Sequence, residues 1–295
     1  MVTVKPHTPD EVAQAAGASS APGAAAARRG GGLMDDLLGS FAPNRVVSKN
    51  VVRVIVVFQI AVLLLVWTTS SFPFLPKPKG VWEAFLDLWG HEGLGGELIT
   101  SFLLNVQAMV IATVISLGLA YLTVVPFLRP IVAAVSKGRF LGMVGLTFFF
   151  TLMFGSGHHL KVSLLVFGVG VFFVTSMMDV VAQVPKNKFD LARTLRMGEW
   201  RVVWEVIVLG RADAAFDMLR QNAAMGWMML TMVEGISRSE GGIGALLLNQ
   251  NKHFRLEGVF AIQICILILG LFQDYGLGLA KRFICPYADL QLERR

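Results

Sequence analysis

Long apolar segments, separated by prolines and charged loops, constrain this chain more than any other feature. They occupy residues 51–67, 101–125, 140–154, 162–184, 214–233 and 259–280. About 20 mostly apolar residues in an α-helix cross a bilayer, and lipid offers no partner to an unpaired backbone group. Only 16% of the residues are charged, against about a quarter in soluble domains. We therefore predict an all-α, polytopic membrane protein with about six transmembrane helices.

The two ends of the chain differ from its apolar middle. Residues 1–32 are rich in Ala, Gly, Ser and Pro, a composition that cannot bury a core of its own. We predict a disordered or weakly structured cytoplasmic region at 1–50, in which Leu33–Phe41 could form a short surface helix. The membrane domain is expected at 51–284, followed by a cytoplasmic tail at 285–295.

One connecting loop, residues 186–213, is too basic to cross lipid. Cytoplasmic loops collect Lys and Arg, and the connections on the side of this loop hold more of them than those on the other side. We therefore predict that both termini and the 186–213 loop lie in the cytoplasm. The net charge of +6 is explained by such loops, so we expect the lipid bilayer and no nucleic acid as a partner.

The same loop carries a motif. It reads Asp190-Leu191-Ala192-Arg193-Thr194-Leu195-Arg196-Met197-Gly198-Glu199-Trp200 and continues to Leu209-Gly210. It resembles the E-A-A-R-T-L-G-A-S-x-W…V-x-L-P motif of ABC importer permeases, in particular the branch for nitrate, sulfonates and taurine. The resemblance extends over about residues 73–286. Other landmarks of that family occur in the family's order on both sides of the motif: Phe154-Gly155-Ser156-Gly157, Lys161, Arg220, Trp227, Glu234, Gly242-Ile243-Gly244, Gly270, Asp274 and Pro286.

This resemblance implies a binding-protein-dependent importer of a small anionic solute. Its partners would be a cytoplasmic ABC ATPase dimer, a second permease copy or paralogue, and an extracytoplasmic substrate-binding protein. The chain has no G-x-x-x-x-G-K-[ST] phosphate loop, so we expect no cofactor on it, and ATP and Mg²⁺ on the partner ATPase. The residues implied in coupling to that ATPase are Asp190, Ala192, Arg193, Thr194, Leu195, Arg196, Gly198, Trp200, Trp204, Leu209 and Gly210.

The motif departs from the family at Asp190, Leu191, Arg196 and Gly210, where the family has Glu, Ala, Gly and Pro. The family Gly permits a turn between two short docking helices, so Arg196 predicts either a turn shifted to Gly198 or a divergent docking surface. We expect a stiff docking helix at about 188–206, whose aromatic residues anchor it in the ATPase. The alternative is an amphipathic helix that lies on lipid headgroups.

Polar residues inside apolar segments are costly, and they are candidates for the substrate path. The candidates are Asn105, Gln107, Ser176, Asn222 and Glu234. Glu234 could instead face water at the outer end of its span. The adjacent His158 and His159 lack a third ligand, so we expect no metal site. We predict that an extended loop at 73–89 and a polar loop at Asn249–His253 meet the binding protein.

Two other classes of protein remain open. One is a secondary transporter or channel that works without an ATPase, although no half-to-half repeat typical of such folds is visible. The other is a membrane scaffold without transport of its own, which the altered Arg196 and Gly210 positions allow. An enzyme is not expected, because no nucleophile, base and orienting group occur together in the spans.

Overall fold

The computed structural model describes residues 49–70, 72, 75–237 and 241–286. Every regular element in these residues is helical, which confirms the all-α class for this part of the chain. Most of the predicted N-terminal region, including Leu33–Phe41, and residues 287–295 of the predicted tail lie outside the described residues. The described residues divide into two units, the first ending at Ser70 and the second containing Phe72 and all the later residues.

The described part of the first unit is helix α1, Lys49–Thr69, with 21 residues. Its sequence has no acidic residue in the first turn, and the stretch from Val54 to Trp67 is apolar except for Gln59. It is long and apolar enough to span a bilayer, in agreement with the first predicted span.

The second unit contains the other helices. In chain order these are α2 (Pro78–Gly90), α3 (Leu94–Leu122), α4 (Arg129–Ser136), α5 (Met143–Phe154), α6 (His158–Ala182), α7 (Lys186–Thr194), α8 (Glu199–Val202), α9 (Ala212–Ile236), α10 (Ile243–Lys252) and α11 (Leu256–Ile284). A 3₁₀ turn follows α4 at Lys137–Phe140, and a π-helical segment and a 3₁₀ turn join α8 to α9.

The core of this unit forms where α3 packs along α6. The buried face of α3 carries small residues at helical spacing, namely Ser101, Ala108, Ala112, Ser116 and Ala120. Small residues let two helix backbones approach closely in a membrane. The Ser116 hydroxyl donates to the Gly170 carbonyl of α6 at 3.1 Å, a contact that requires such an approach.

Four helices among the described residues are long and apolar enough to cross a membrane: Asn50–Thr69, α3, α6 and α11. The predicted third span is a 12-residue helix, α5, about 18 Å long at 1.5 Å per residue. It forms a possible fifth span only together with Arg129–Phe140, from which it is bent by 116°. The predicted fifth span, α9, has 25 residues but is not among the apolar spans. The count of six therefore stays a prediction.

Polar contacts define two opposite ends of the second unit. At one end, the Glu234 end, the start of α3, the start of α6 and the end of α9 meet around Glu234. At the other end, the Lys281 end, the Lys281 ammonium donates to Asp217 at 2.6 Å, and the Arg211 guanidinium donates to the Gln183 carbonyl at 3.1 Å. Residues 183–217 therefore lie at the Lys281 end.

Two segments predicted as loops are helical. Residues 78–90 form α2. Pro78 does not prevent this helix, because it stands in the first turn, where a missing N–H breaks no hydrogen bond. Asn249–Lys252 belong to α10. The two segments nevertheless lie together at the Glu234 end, since Glu92 accepts hydrogen bonds from Gln250 at 2.6 Å and from Arg255 at 3.4 Å.

Candidate functional site

The predicted docking helix is interrupted in the structure. Helix α7 ends at Thr194 and α8 begins at Glu199, so the expectation of one stiff helix over 188–206 is wrong. From Glu199 onward the chain stays helical through a π-helical segment and a 3₁₀ turn into α9. The break therefore separates α7 from a helical path that leads directly into the bundle.

The break is a Schellman-type turn with Arg196 at its left-handed position. Arg196 has φ 54°, its N–H donates to the Arg193 carbonyl at 2.9 Å, and the Met197 N–H donates to the Ala192 carbonyl at 3.3 Å. Glycine is the usual residue at this position of a helix C-terminus. Gly198 has φ −66° and precedes α8, so the expected shift of the turn to Gly198 is wrong.

Large apolar side chains in this segment face away from the bundle. Leu191, Leu195, Trp200 and Trp204 are 63%, 64%, 74% and 57% exposed, and we call these four residues the coupling surface. Val202, on the same segment, is buried and does not belong to this surface. Exposed apolar side chains grouped in this way mark an interaction site more often than an ordinary surface.

Ion pairing and short hydrogen bonds hold this segment in shape. The Arg193 guanidinium lies 3.4 Å from the Glu199 carboxylate and so bridges the turn. The Thr194 hydroxyl donates to the Leu191 carbonyl at 2.6 Å. Of the remaining predicted coupling residues, Ala192 is buried and Asp190, Leu209 and Gly210 are exposed.

A second polar group, which we call the Glu234 cluster, lies at the opposite end. The Ser101 hydroxyl donates to Glu234 Oε1 at 2.6 Å, and the Gly244 N–H donates to Glu234 Oε2 at 2.9 Å. The Ile243 N–H donates to the Ser101 hydroxyl at 2.9 Å. Glu234 and Ser101 are 1% and 0% exposed. A carboxylate therefore caps the first N–H groups of α10, where the helix dipole favours negative charge.

The loop before α10 is fitted closely around these side chains. The Lys161 ammonium, itself buried, donates to the Gly241 carbonyl at 2.8 Å, and the Gly242 N–H donates to the Glu97 carboxylate. Gly241 and Gly242 have φ 67° and 106°, and a Cβ on Gly242 would collide with the Glu234 carboxylate. Glu234 thus holds a loop, and its carboxylate is not open to a solute.

A third group, the Gln273 cluster, lies inside the bundle. Gln273 Oε1 accepts from the Trp227 indole N–H at 2.7 Å and from the Asn105 amide at 3.0 Å. All three residues are buried. The two hydrogen bonds join α3, α9 and α11. They also give these donors partners in the apolar interior, where an unpaired polar group would be costly.

The remaining substrate-path candidates lie apart from one another. The Asn222 amide donates to the Met218 carbonyl and the Ser176 hydroxyl to the Phe172 carbonyl, each within its own helix. Gln107 pairs with His158 at 3.1 Å on the exposed side of α3. The structure therefore does not bring the five candidates together, and their role in a path stays a prediction.

Sequence analysis did not single out some members of these clusters. Glu97 and Gln273 were not among its candidates, although Gln273 is a polar residue within the last apolar segment and carries the signal that selected Asn105. Lys161 and Trp227 stood only as family landmarks. Helical spacing offers one further clue, because Ser101 and Asn105 are one turn apart and share the buried face of α3.

No family model matches the chain. The chain is 27% identical over 111 residues to a protein of Methanocaldococcus jannaschii that is provisionally named an ABC transporter permease protein. The matched part covers 37% of this chain and 42% of that protein, so the chain matches less than half of the relative's length. The likeness therefore relates part of this membrane-type helical chain to part of a protein that carries the name of an ABC transporter permease.

Proposed function

We propose that this chain is the membrane-spanning permease subunit of an ATP-driven ABC importer, with the coupling surface as its contact with a separate ATPase. The observation that carries the proposal is the exposure of Leu191, Leu195, Trp200 and Trp204 on a basic segment between two bundle helices. Exposed aromatic anchors of this kind commonly supply most of the energy of a protein interface. The likeness to the archaeal protein points to the same class.

The geometry gives a route by which movement at the coupling surface would reach the bundle. Trp200 and Trp204 stand on the helical stretch that continues without a break into α9. Helix α9 is tied to α11 by the Arg220–Asp274 ion pair, in which two guanidinium nitrogens donate at 2.9 and 2.6 Å. At its far end it holds α10 through Glu234. A push on α8 would therefore act on α9, α10 and α11 together.

The other components belong to the same proposal. An ATPase dimer binds ATP and Mg²⁺ in the cytoplasm, a second permease copy or paralogue completes the path, and a substrate-binding protein docks at the Glu234 end, where α2 and α10 meet. The solute is a small anion of the nitrate or sulfonate kind. The protein lies in the bacterial inner membrane with both termini in the cytoplasm. The resemblance of the motif in 190–210 to that of ABC importer permeases supports this arrangement.

Co-purification with the ATPase tests the proposal. Trp200→Ala and Trp204→Ala, alone and together, are expressed with tagged ABC ATPase subunits from the same genome. Each variant removes an aromatic anchor, for which a loss of about 2 kcal/mol, or roughly 30-fold in affinity, is typical. The matched control is Trp82→Ala, since Trp82 is 61% exposed but stands on α2 at the Glu234 end.

We expect the double variant to lose nearly all bound ATPase and the control to retain it. Undiminished binding by the double variant would rule out the coupling surface. Uptake into proteoliposomes with and without ATP then separates the classes of transporter. Uptake that proceeds equally without ATP would indicate a secondary transporter or channel, and absence of uptake with a bound ATPase would indicate a scaffold.

A further inference from the structure

Two neighbouring cavities lie along α11 in the second unit, and α9 contributes Arg220 to both. The first, about 410 Å³, is lined mainly by apolar residues such as Ala224, Ile266 and Leu267. The second, about 480 Å³, is lined by Tyr275, Lys281 and Arg282 among others. Both are lined by Arg220, Leu271 and Asp274. The cavities are therefore adjacent, with an apolar part and a charged part.

The charged part has an excess of positive charge. Among its lining residues Arg220 pairs with Asp274 at 2.6 Å, and Lys281 pairs with Asp217 at 2.6 Å. Arg282 also lines the cavity, is exposed, and has no carboxylate partner among the described residues. A guanidinium binds phosphate oxygens through charge-assisted, often bidentate hydrogen bonds. An anionic phosphate group would therefore supply the negatively charged partner for Arg282.

The apolar part is open at the exposed face of α11. Leu267 and Leu271 are 60% and 62% exposed on α11, a helix long and apolar enough to span a membrane. The charged part lies beside Lys281 and Arg282 in the last turn of that helix. Basic pockets between membrane helices near a membrane surface bind anionic lipid headgroups. Apolar and cationic parts are therefore arranged as the acyl and headgroup regions of a lipid require.

We propose that these cavities form one site for an anionic glycerophospholipid. Its phosphate lies against Arg282 and Lys281, and one acyl chain runs along Leu271, Leu267 and Ile266. A bound lipid of this kind would fill the space between α9 and α11 and support their pairing. The proposal rests on the position of the chain in a bilayer and not on the ATPase contact, so loss of ATPase binding leaves it unaffected.

The test measures lipid retention by the full-length protein. The protein is reconstituted into nanodiscs of phosphatidylcholine with an equal amount of phosphatidylglycerol, released into detergent, and analysed by native mass spectrometry. We expect preferential retention of one phosphatidylglycerol. Arg282→Gln should lower this preference about fivefold, the effect of one cation near a membrane surface. Ala224→Phe should lower retention of both lipids, because its ring occupies the apolar part.

The matched control is Arg129→Gln, which removes an exposed cation at the start of α4, outside both cavities, and should leave the preference unchanged. Equal retention of the two lipids by the unaltered protein, or an unchanged preference in Arg282→Gln, would overturn the proposal. Displacement of phosphatidylglycerol by millimolar glycerol 3-phosphate would also overturn it, because the site would then take a soluble phosphate ester. Failure of glycerol 3-phosphate to displace the lipid supports it.

Discussion

At the scale of single residues, two large side chains stand where a helix end favours glycine. Arg196 and Phe254 both have φ 54°, and each occupies the left-handed position of a turn that closes a helix, α7 and α10 respectively. An L-residue in this conformation costs about 1–2 kcal/mol. The conformation of each turn is therefore imposed by the residues around it and not by the intrinsic preference of Arg196 or Phe254.

Replacing Arg196 tests this interpretation. Arg196→Gly should stabilise the turn by up to about 1 kcal/mol, because glycine adopts a positive φ without steric cost. The higher conformational entropy of glycine in the unfolded segment offsets part of this gain. Amide hydrogen exchange of residues 186–202 measures the change as slower exchange. Asp190→Gly, in the middle of α7, is the matched control and should accelerate exchange. Faster exchange in Arg196→Gly would contradict the strained turn.

The Glu234 cluster provides a second test at this scale. Glu234→Gln keeps the shape but replaces one acceptor oxygen by a donor amide, which then faces the Ser101 hydroxyl or the Gly244 N–H. A buried unsatisfied donor costs about 1–3 kcal/mol. We expect a lower midpoint of thermal unfolding in detergent. Glu83→Gln is the control, because Glu83 is exposed and lies 3.9 Å from Lys79; equal midpoints for both variants would show that Glu234 does not clamp α10.

At the scale of elements, α9 explains how a helix with several charges can lie in an apolar bundle. Its polar side chains pair with α11 at three levels, through Asp217–Lys281, Arg220–Asp274 and Trp227–Gln273. Polar groups at membrane depth pair with one another or face the bundle interior. Sequence analysis recognised α9 as a segment, but these partners are 46–64 residues apart, beyond the reach of local spacing.

A double-mutant cycle measures one of these links. Arg220→Gln, Asp274→Asn and the double variant should show a coupling energy of about 1–2 kcal/mol, because the pair is bidentate and charge-assisted. The free energy of unfolding in a denaturant titration provides the readout. The exposed pair Lys79–Glu83, at 3.9 Å, is the control and should couple by about 0.5 kcal/mol or less. Equal coupling in the two pairs would contradict a role for Arg220–Asp274 in joining α9 to α11.

At the scale of the whole molecule, the second unit has a consistent direction. Helices α3, α6 and α11 begin at the Glu234 end and run to the Lys281 end, whereas α9 runs in the opposite direction, as their terminal contacts show. The basic segment 186–211 lies at the Lys281 end, and the segment with α2 and α10 at the other. The charge rule predicts that the Lys281 end lies in the cytoplasm.

Cysteine labelling tests this orientation. In a Cys265→Ser and Cys285→Ser background, Lys252→Cys should react with an impermeant maleimide in intact cells, whereas Lys188→Cys should react only after the inner membrane is permeabilised. Both residues are exposed, so unequal labelling reports the side of the membrane. Leu103→Cys, exposed on the apolar helix α3, should stay unlabelled if this helix lies in the bilayer. Labelling of Lys188→Cys alone in intact cells would reverse the topology.

The sequence by itself determined the helical membrane class, because apolar runs, prolines and charged loops act locally. Tertiary structure alone decided that the turn stays at Arg196, that residues 78–90 and Asn249–Lys252 are helical, and that α5 is too short to span by itself. It also decided the Glu234 and Gln273 clusters. Their hydrogen bonds join residues up to 168 positions apart, and such pairing depends on how helices pack and not on the pattern within any one of them.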